Sequence, residues 1–294
     1  MNYRKKFMEY FDNRVDGFLL NCALGVRVND PEGIHQMRVE NKRLRALYRL
    51  LESLNPAFDS RLKFKPFRRY SKKSGQLRDS HVQIQLVRAM QNKLGANLTG
   101  FLNFLQIKKD SGDKDFRKFN KERKTASVFK TRKPVKSALG GGIADEVVRA
   151  AVAGHCERMK AELVALKTEG RLDQSIMHLV RILSKEAWYT FQIAQQAFDL
   201  YTQADQFMAS LKSVHQSLGK WHDYDLCLSL LDEYLGDTPA DQIPEIYARL
   251  KALAVNRRKY NRDRFRKAFN QFVSIAAAQP APYSGPVESA ILPG

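Results

Sequence analysis

Four basic residues in the segment IHQMRVENKRLRALYRLL (34–51) stand at a spacing that lets them act together. Arg38, Lys42, Arg45 and Arg49 fall at i, i+4, i+7 and i+11, which is one face of an α-helix. His35 lies one turn before Arg38 on that face. Met37, Leu44, Leu47 and Leu51 form a separate apolar stripe suited to a core. At 1.5 Å per residue the basic row spans roughly 16 Å. A single phosphate needs only the first turn of such a row, whereas a chain of phosphates contacts its whole length. Glu40 is the only acid in the segment, and like charges at i,i+4 oppose a helix by about a few tenths of a kcal/mol per pair. The row therefore implies a compensating polyanion.

The pattern recurs. His35-x-x-Arg38-x-x-x-Lys42 is matched by His178-x-x-Arg181-x-x-x-Lys185, and about forty residues later Gly75-Gln-Leu-Arg-Asp79 is matched by Gly219-Lys-Trp-His-Asp223. A basic helix then follows in each half, near 116–133 and 249–267. Three matching features in one order imply an internal duplication. Further cations expected on the binding face are Lys65, Arg69 and Lys72, then Arg123, and in the second half Arg258 and Arg262. The remaining basic residues supply long-range attraction.

Asp79 and Asp223 have no nucleophile, metal or acid partner that would make them general bases. They are expected to be structural anions, fixing a basic side chain or capping a helix. His35 and His178 have a cation, not a ligand, as their neighbour one turn on, which argues against a metal site. They are suited to donate a hydrogen bond to phosphate or to orient an arginine. His215, His222, Asp223 and Asp225 match no metal-site spacing either. There is no P-loop, acidic metal cluster or nucleophile–base pair, so the chain reads as a binding protein without cofactor or metal, not an enzyme.

These residues need rigid carriers, and helical periodicity dominates the sequence while strand alternation is nearly absent. Helices are expected at 3–27, 31–54, 57–74, 78–94 and 96–107, with KKDSGDKD (108–115) as a polar loop. After the glycines of 138–142, helices are expected at 143–168, 173–202, 204–218, 222–235 and 243–277. The all-α chain thus divides into a first helical half (1–137), a Gly-rich linker (138–142), a second half (143–278) and a Pro- and Gly-rich flexible tail (279–294). Fifty Lys+Arg against 31 Asp+Glu leave a net charge of +19, which draws nucleic acid, anionic membranes or polyphosphate. Three dispersed cysteines, Cys22, Cys156 and Cys227, indicate buried thiols rather than disulfides or zinc. No apolar leader and no membrane-length stretch is present, so a cytoplasmic protein is expected.

The His-x-x-Arg-Val-x-x-Lys-Arg-Leu-Arg run at 35–45, its weaker copy at 178–189 and the two Gly…Asp segments resemble the CHAD (conserved histidine α-helical domain) family over roughly 5–275. That resemblance implies two pseudo-symmetric helical bundles around a shared basic groove or cavity. It also implies binding of inorganic polyphosphate and association with polyphosphate granules, in a family not known as enzymes. The Glu-x-Glu-x-Lys signature of the CYTH domain fused to some members is absent, which implies the stand-alone form. Carried over, the binding positions are His35, Arg38, Lys42, Arg45, Arg49, His178, Arg181 and Lys185. The second copy has Glu186 where the family carries a basic residue and Trp188 where it carries an arginine, so the first half is expected to contribute more. Sequence-non-specific binding of nucleic acid is the alternative; few aromatics interleave the basic rows for base stacking.

Overall fold

Asp30 and Pro31 start the helix that carries the first basic row. The Asp30 carboxylate accepts from the backbone N–H groups of Glu32 and Gly33 at 2.9 and 3.0 Å, and Pro31 occupies the first turn, where no intrahelical donor is lost. Helix α2 (Pro31–Leu54) lies against α1 (Tyr3–Arg27). Gly25 and Gly33 bring the two backbones together at the turn: a Cβ on Gly33 would sit 2.8 Å from the Gly25 nitrogen and 3.0 Å from the Asn21 carbonyl oxygen. The apolar stripe expected of α2, Met37, Leu44, Leu47 and Leu51, is buried, and so are Phe7, Phe11, Val15, Phe18 and Cys22 on α1.

The structure is a computed structural model and describes residues 2–28, 30–122, 126–140, 144–168 and 173–279. After α2 come α3 (Ser60–Lys63), α4 (Lys65–Lys73), α5 (Gly75–Leu94), α6 (Thr99–Glu122), α7 (Ala126–Phe129) and α8 (Arg132–Ala138). The second part holds α9 (Asp145–Thr168), α10 (Gln174–Phe198), α11 (Asp205–Leu235) and α12 (Glu245–Ala278), with a 3₁₀ turn at Ala240–Gln242. No strand occurs among the described residues, in keeping with the all-α expectation.

Four boundaries differ from the sequence reading, the first being the basic helix expected near 116–133, which is instead the end of α6 at Glu122 followed by the short α7 and α8. KKDSGDKD is not a loop but the middle of α6. Gly112 is buried there, and its missing side chain lets the helix pass within 3.0 Å of the Leu77 nitrogen as a Cβ would measure it. The Asp113–Arg117 pair at 2.7 Å ties the following turn. Packing against α5 outweighs the poor helix propensity of the segment. The expected break near Gly219 is likewise absent, and α11 runs unbroken through it. Conversely, 57–74 is two short helices hinged at Phe64, with Pro66 in the first turn of the second. The tail from 280, and Gly141 and Gly142 of the glycine tract with Ile143, lie outside the described residues.

Neither core stays on one side of the glycine tract. The larger cluster joins Phe18, Tyr48, Phe67 and Tyr70 to Phe191, Phe198, Phe207 and Phe272. A smaller one joins Val87, Phe101 and Leu105 of α5 and α6 to Leu231, Leu250 and Ala254 of α11 and α12. The effect is to hold α2, α5, α10 and α11 in fixed relation. All three cysteines are buried and unbridged.

Gly33→Ala is expected to lower stability by about 1–3 kcal/mol, because its Cβ meets backbone that cannot move aside cheaply. Denaturant unfolding monitored by far-UV circular dichroism checks this; a change within error would show that α1 and α2 separate without cost.

Candidate functional site

The buried stripes of α2 and α10 turn their basic rows toward each other. Arg38, Lys42 and Arg45 from α2 and Arg181 and Lys185 from α10 line one cavity of about 430 Å³. Helix α5 adds Arg78 and Asp79, α11 adds Gly219 and Asp223, and His35, Glu186 and Tyr189 complete the rim. Both copies of the recurring spacing thus meet at one place. Gly219 is not a turn glycine. A Cβ there would touch nothing within 4 Å, so it leaves the α11 wall low and the cavity open at that point.

Neighbours fix some of these side chains. The Arg38 guanidinium donates to the Ser71 carbonyl at 2.6 Å and to Ser74 Oγ at 3.0 Å, anchoring it to the end of α4. Glu40, the one acid of the first row, is turned away and buried against Arg43 at 2.7 Å and Arg14 at 3.3 Å. It does not neutralise the row. Arg181 Nε is buried without a hydrogen-bond partner among the described residues.

The electrostatics are set by burial first and by the crowding of like charges second. Burial, reinforced by Arg38, Arg181 and Arg78, lowers the Lys42 ammonium to about 8. Burial, reinforced by Arg181 and Lys42, lowers Lys185 to about 7. Burial and then Arg78 lower His35. Burial with Arg181 and Lys185 lowers His222 to about 4, and burial with Lys185 does the same to His215. The carboxyls of Asp79 and Asp223 are raised by desolvation, although the surrounding arginines and lysines pull them down. Neither is a helix cap, since both lie inside helices. They sit as counter-charges between the cations of α2 and α10.

Two further cavities abut the first, and Arg45 lines all three. One, about 690 Å³, lies between α2 and the α3–α4 segment and is lined by Lys42, Arg49, Arg61 and Arg68 among others. The other, about 340 Å³, faces α9 and carries Arg49, His155, Glu52, Glu162 and Glu186. Glu186 pairs with Arg49 at 3.2 Å and with Arg45 at 3.9 Å.

Not every residue nominated from sequence arrives at the cavity. Arg49 lines only the two flanking cavities. Lys65 and Arg69 point to a separate hollow beside Tyr70 and Phe119, with Lys63 and Lys130. Lys72 and His178 are exposed and line none of these cavities. Arg258 is paired with Asp225 at 2.7 Å, Arg262 stands 3.8 Å from Asp263, and neither borders the cavities. Arg123 lies outside the described residues. The residues missed were Arg78 and Tyr189. Arg78 had a signal, since it sits inside the recurring Gly…Asp segment beside Asp79, at the position His222 takes in the second copy.

The arrangement can hold an extended anion by charge and hydrogen bonds. Among the described residues no group of three or more His, Cys, Asp or Glu could hold a metal ion, and no helix is long and apolar enough to cross a membrane.

The CHAD domain profile matches residues 9–232. Among solved structures, the CHAD domain from the plant Ricinus communis superposes with a TM-score of 0.69 at 19% identity, covering 95% of this chain and 93% of that one. PptA from Streptomyces chartreusis superposes at 0.66 and 14% identity, covering 91% and 99%. No curated protein matches in sequence.

The depressed lysines set a pH dependence. Unfolded, both lysines titrate near 10.5; folded, near 8 and 7. The unfolded chain therefore binds more protons between those values, so the ligand-free protein gains stability as pH rises through that window. An anion in the cavity restores the charged form, so its affinity should fall over the same rise and its binding should take up protons. Thermal unfolding across the window and calorimetric titration in two buffers of different ionisation heat measure both. A polyanion affinity that rises with pH would contradict this account.

Proposed function

The chain belongs to the CHAD domain family, and from that premise we propose that it binds inorganic polyphosphate in the cavity between α2, α5, α10 and α11. The observation that carries this reading is the crowding of Arg38, Lys42, Arg78, Arg181 and Lys185 at one cavity, where burial and then the neighbouring cations lower both lysines. Such a cluster opposes folding unless its ligand brings several negative charges close together. A phosphate chain does so, with repeated acceptor oxygens that suit guanidinium and ammonium donors. His35 serves as a further donor at the rim. Asp79 and Asp223 keep the free cavity from excess repulsion. The reading is of a binding protein rather than an enzyme, acting in the cytoplasm in association with polyphosphate granules.

Nucleic acid is the second reading. The exposed cations of α12 favour it, including Lys259 and Arg264, because sequence-independent binding needs only a basic surface. Against it, Tyr189 is the one Phe, Tyr or Trp side chain lining the cavity, so base stacking there has little to rest on. Competition at near-physiological salt decides between the two. Labelled polyphosphate is displaced by unlabelled polyphosphate, double-stranded DNA or single-stranded RNA. Polyphosphate should compete best per charge, and equal competition by DNA or RNA would reject the proposal.

A double substitution separates binding from folding. Lys42→Met with Lys185→Met removes two crowded charges and keeps their apolar stems. Affinity for polyphosphate should fall by at least about tenfold, or about 1.4 kcal/mol, while the melting temperature of the free protein stays level or rises. Lost stability with unchanged affinity would make the lysines structural.

A further inference from the structure

Beyond the inner cavity, a bound chain has two continuations past Arg45, and their charges differ. On the α9 side the lining pairs Arg45 and Arg49 with Glu52, Glu162 and Glu186. On the α3–α4 side the same two arginines are joined by Lys42, Arg61 and Arg68, with Glu52 as the one acid. Glu52 is itself committed, accepting from the Ser60 N–H at 3.1 Å and from Ser60 Oγ at 2.7 Å. Glu186 stands at the fork. It borders both the inner cavity and the α9-side cavity, its side chain is only 13% exposed, and it holds Arg49 at 3.2 Å and Arg45 at 3.9 Å. A phosphate turning that way would meet a fixed carboxylate already occupying the arginines it needs.

We propose that Glu186 closes the α9-side exit and that a polyphosphate chain longer than the inner cavity continues on the other side, into an extension subsite whose distinctive residues are Arg61 and Arg68. This deepens the polyphosphate reading and rests on it. The α3–α4 segment then has a definite purpose in the site. Its hinge at Phe64 presents Arg61 and Arg68 to this cavity, whereas Lys63, Lys65 and Arg69 face the separate hollow beyond. Glu186 becomes a residue that selects the path, and Arg61 and Arg68 become residues that respond to chain length.

The test compares tripolyphosphate with a long-chain polyphosphate of defined length, titrated into the full chain at near-physiological salt. Arg61→Ala with Arg68→Ala should weaken long-chain binding by about tenfold and tripolyphosphate binding by less than about threefold. Both arginines are exposed, so the substitutions leave the fold intact. Glu186→Gln should open the second exit, so that in its background the same pair of alanines costs the long chain less. The arginines at Glu186 are about half exposed, 49% and 48%, and losing the carboxylate strands no fully buried charge; Glu186→Ala is a second variant with the same expectation. A loss that is equal for both lengths, or absent for the long chain, overturns the extension subsite. An undiminished cost of the alanines in both Glu186 backgrounds overturns the gating role. If the unsubstituted protein binds neither ligand, the polyphosphate reading itself has failed, which the wild-type titration shows before any variant is made.

Discussion

Repulsion among the cations of α2 and α10 is the term that the rest of the structure must overcome. Arg38, Lys42, Arg181 and Lys185 face one cavity, and each pair of like charges in so enclosed a place costs on the order of 1 kcal/mol or more. Burial and then this repulsion lower both lysines, to about 8 for Lys42 and about 7 for Lys185; the arginines stay charged. What holds the two helices together is the apolar layer behind them. Met37, Leu44, Leu47 and Leu51 on α2 and Val180, Ala187 and Phe191 on α10 are all buried in one cluster. The core therefore fixes a geometry that the site alone would push apart. Asp79 and Asp223 reduce the remaining repulsion from the two other walls.

The same constraint explains why the second core matters to the site. The α5–α6 and α11–α12 pairs close over Val87, Phe101, Leu105, Leu231 and Leu250, away from the cavity. That clamp sets the places of Asp79 and Asp223, one from each pair. Gln83 adds a direct link, donating to the Asp223 carbonyl oxygen at 2.9 Å. Among the described residues the counter-charges are thus positioned by packing and one partly buried polar contact, not by ion pairs of their own. Carboxylates left free to move would collapse onto the nearest arginine and fill the space a ligand needs.

Much of this was legible in the sequence, for a definite reason. Helical spacing alone placed Arg38, Lys42 and Arg45 on one face opposite Met37 and Leu44, and recurrence marked Arg181 and Lys185 as their counterparts. What spacing cannot convey is the direction of a face once helices pack. Lys65 and Arg69 were nominated with the rest, yet the α4 helix turns them to the far side while Arg68 faces the near cavity. His178 matches His35 in motif, but α10 leaves it exposed beyond the rim. Gly112 and Gly219 misled because glycine is a poor helix residue taken alone, whereas the fold uses both for what they lack: close approach to Leu77 at one, an open wall at the other.

Glu186 shows how a departure from a recurring pattern carries information that its repeated parts do not. A basic residue there would remove the carboxylate that borders both the inner cavity and the α9-side cavity. The carboxylate interrupts it, and does so by holding Arg45 and Arg49, which are themselves part of the row. The two sides of the site therefore differ in more than the count of cations. One side offers donors along its length, and the other ends in an internal anion that competes with any phosphate reaching it. A scaffold whose two basic rows share a spacing is in this way given a direction, because Glu186 on α10 is matched by Arg43 on α2.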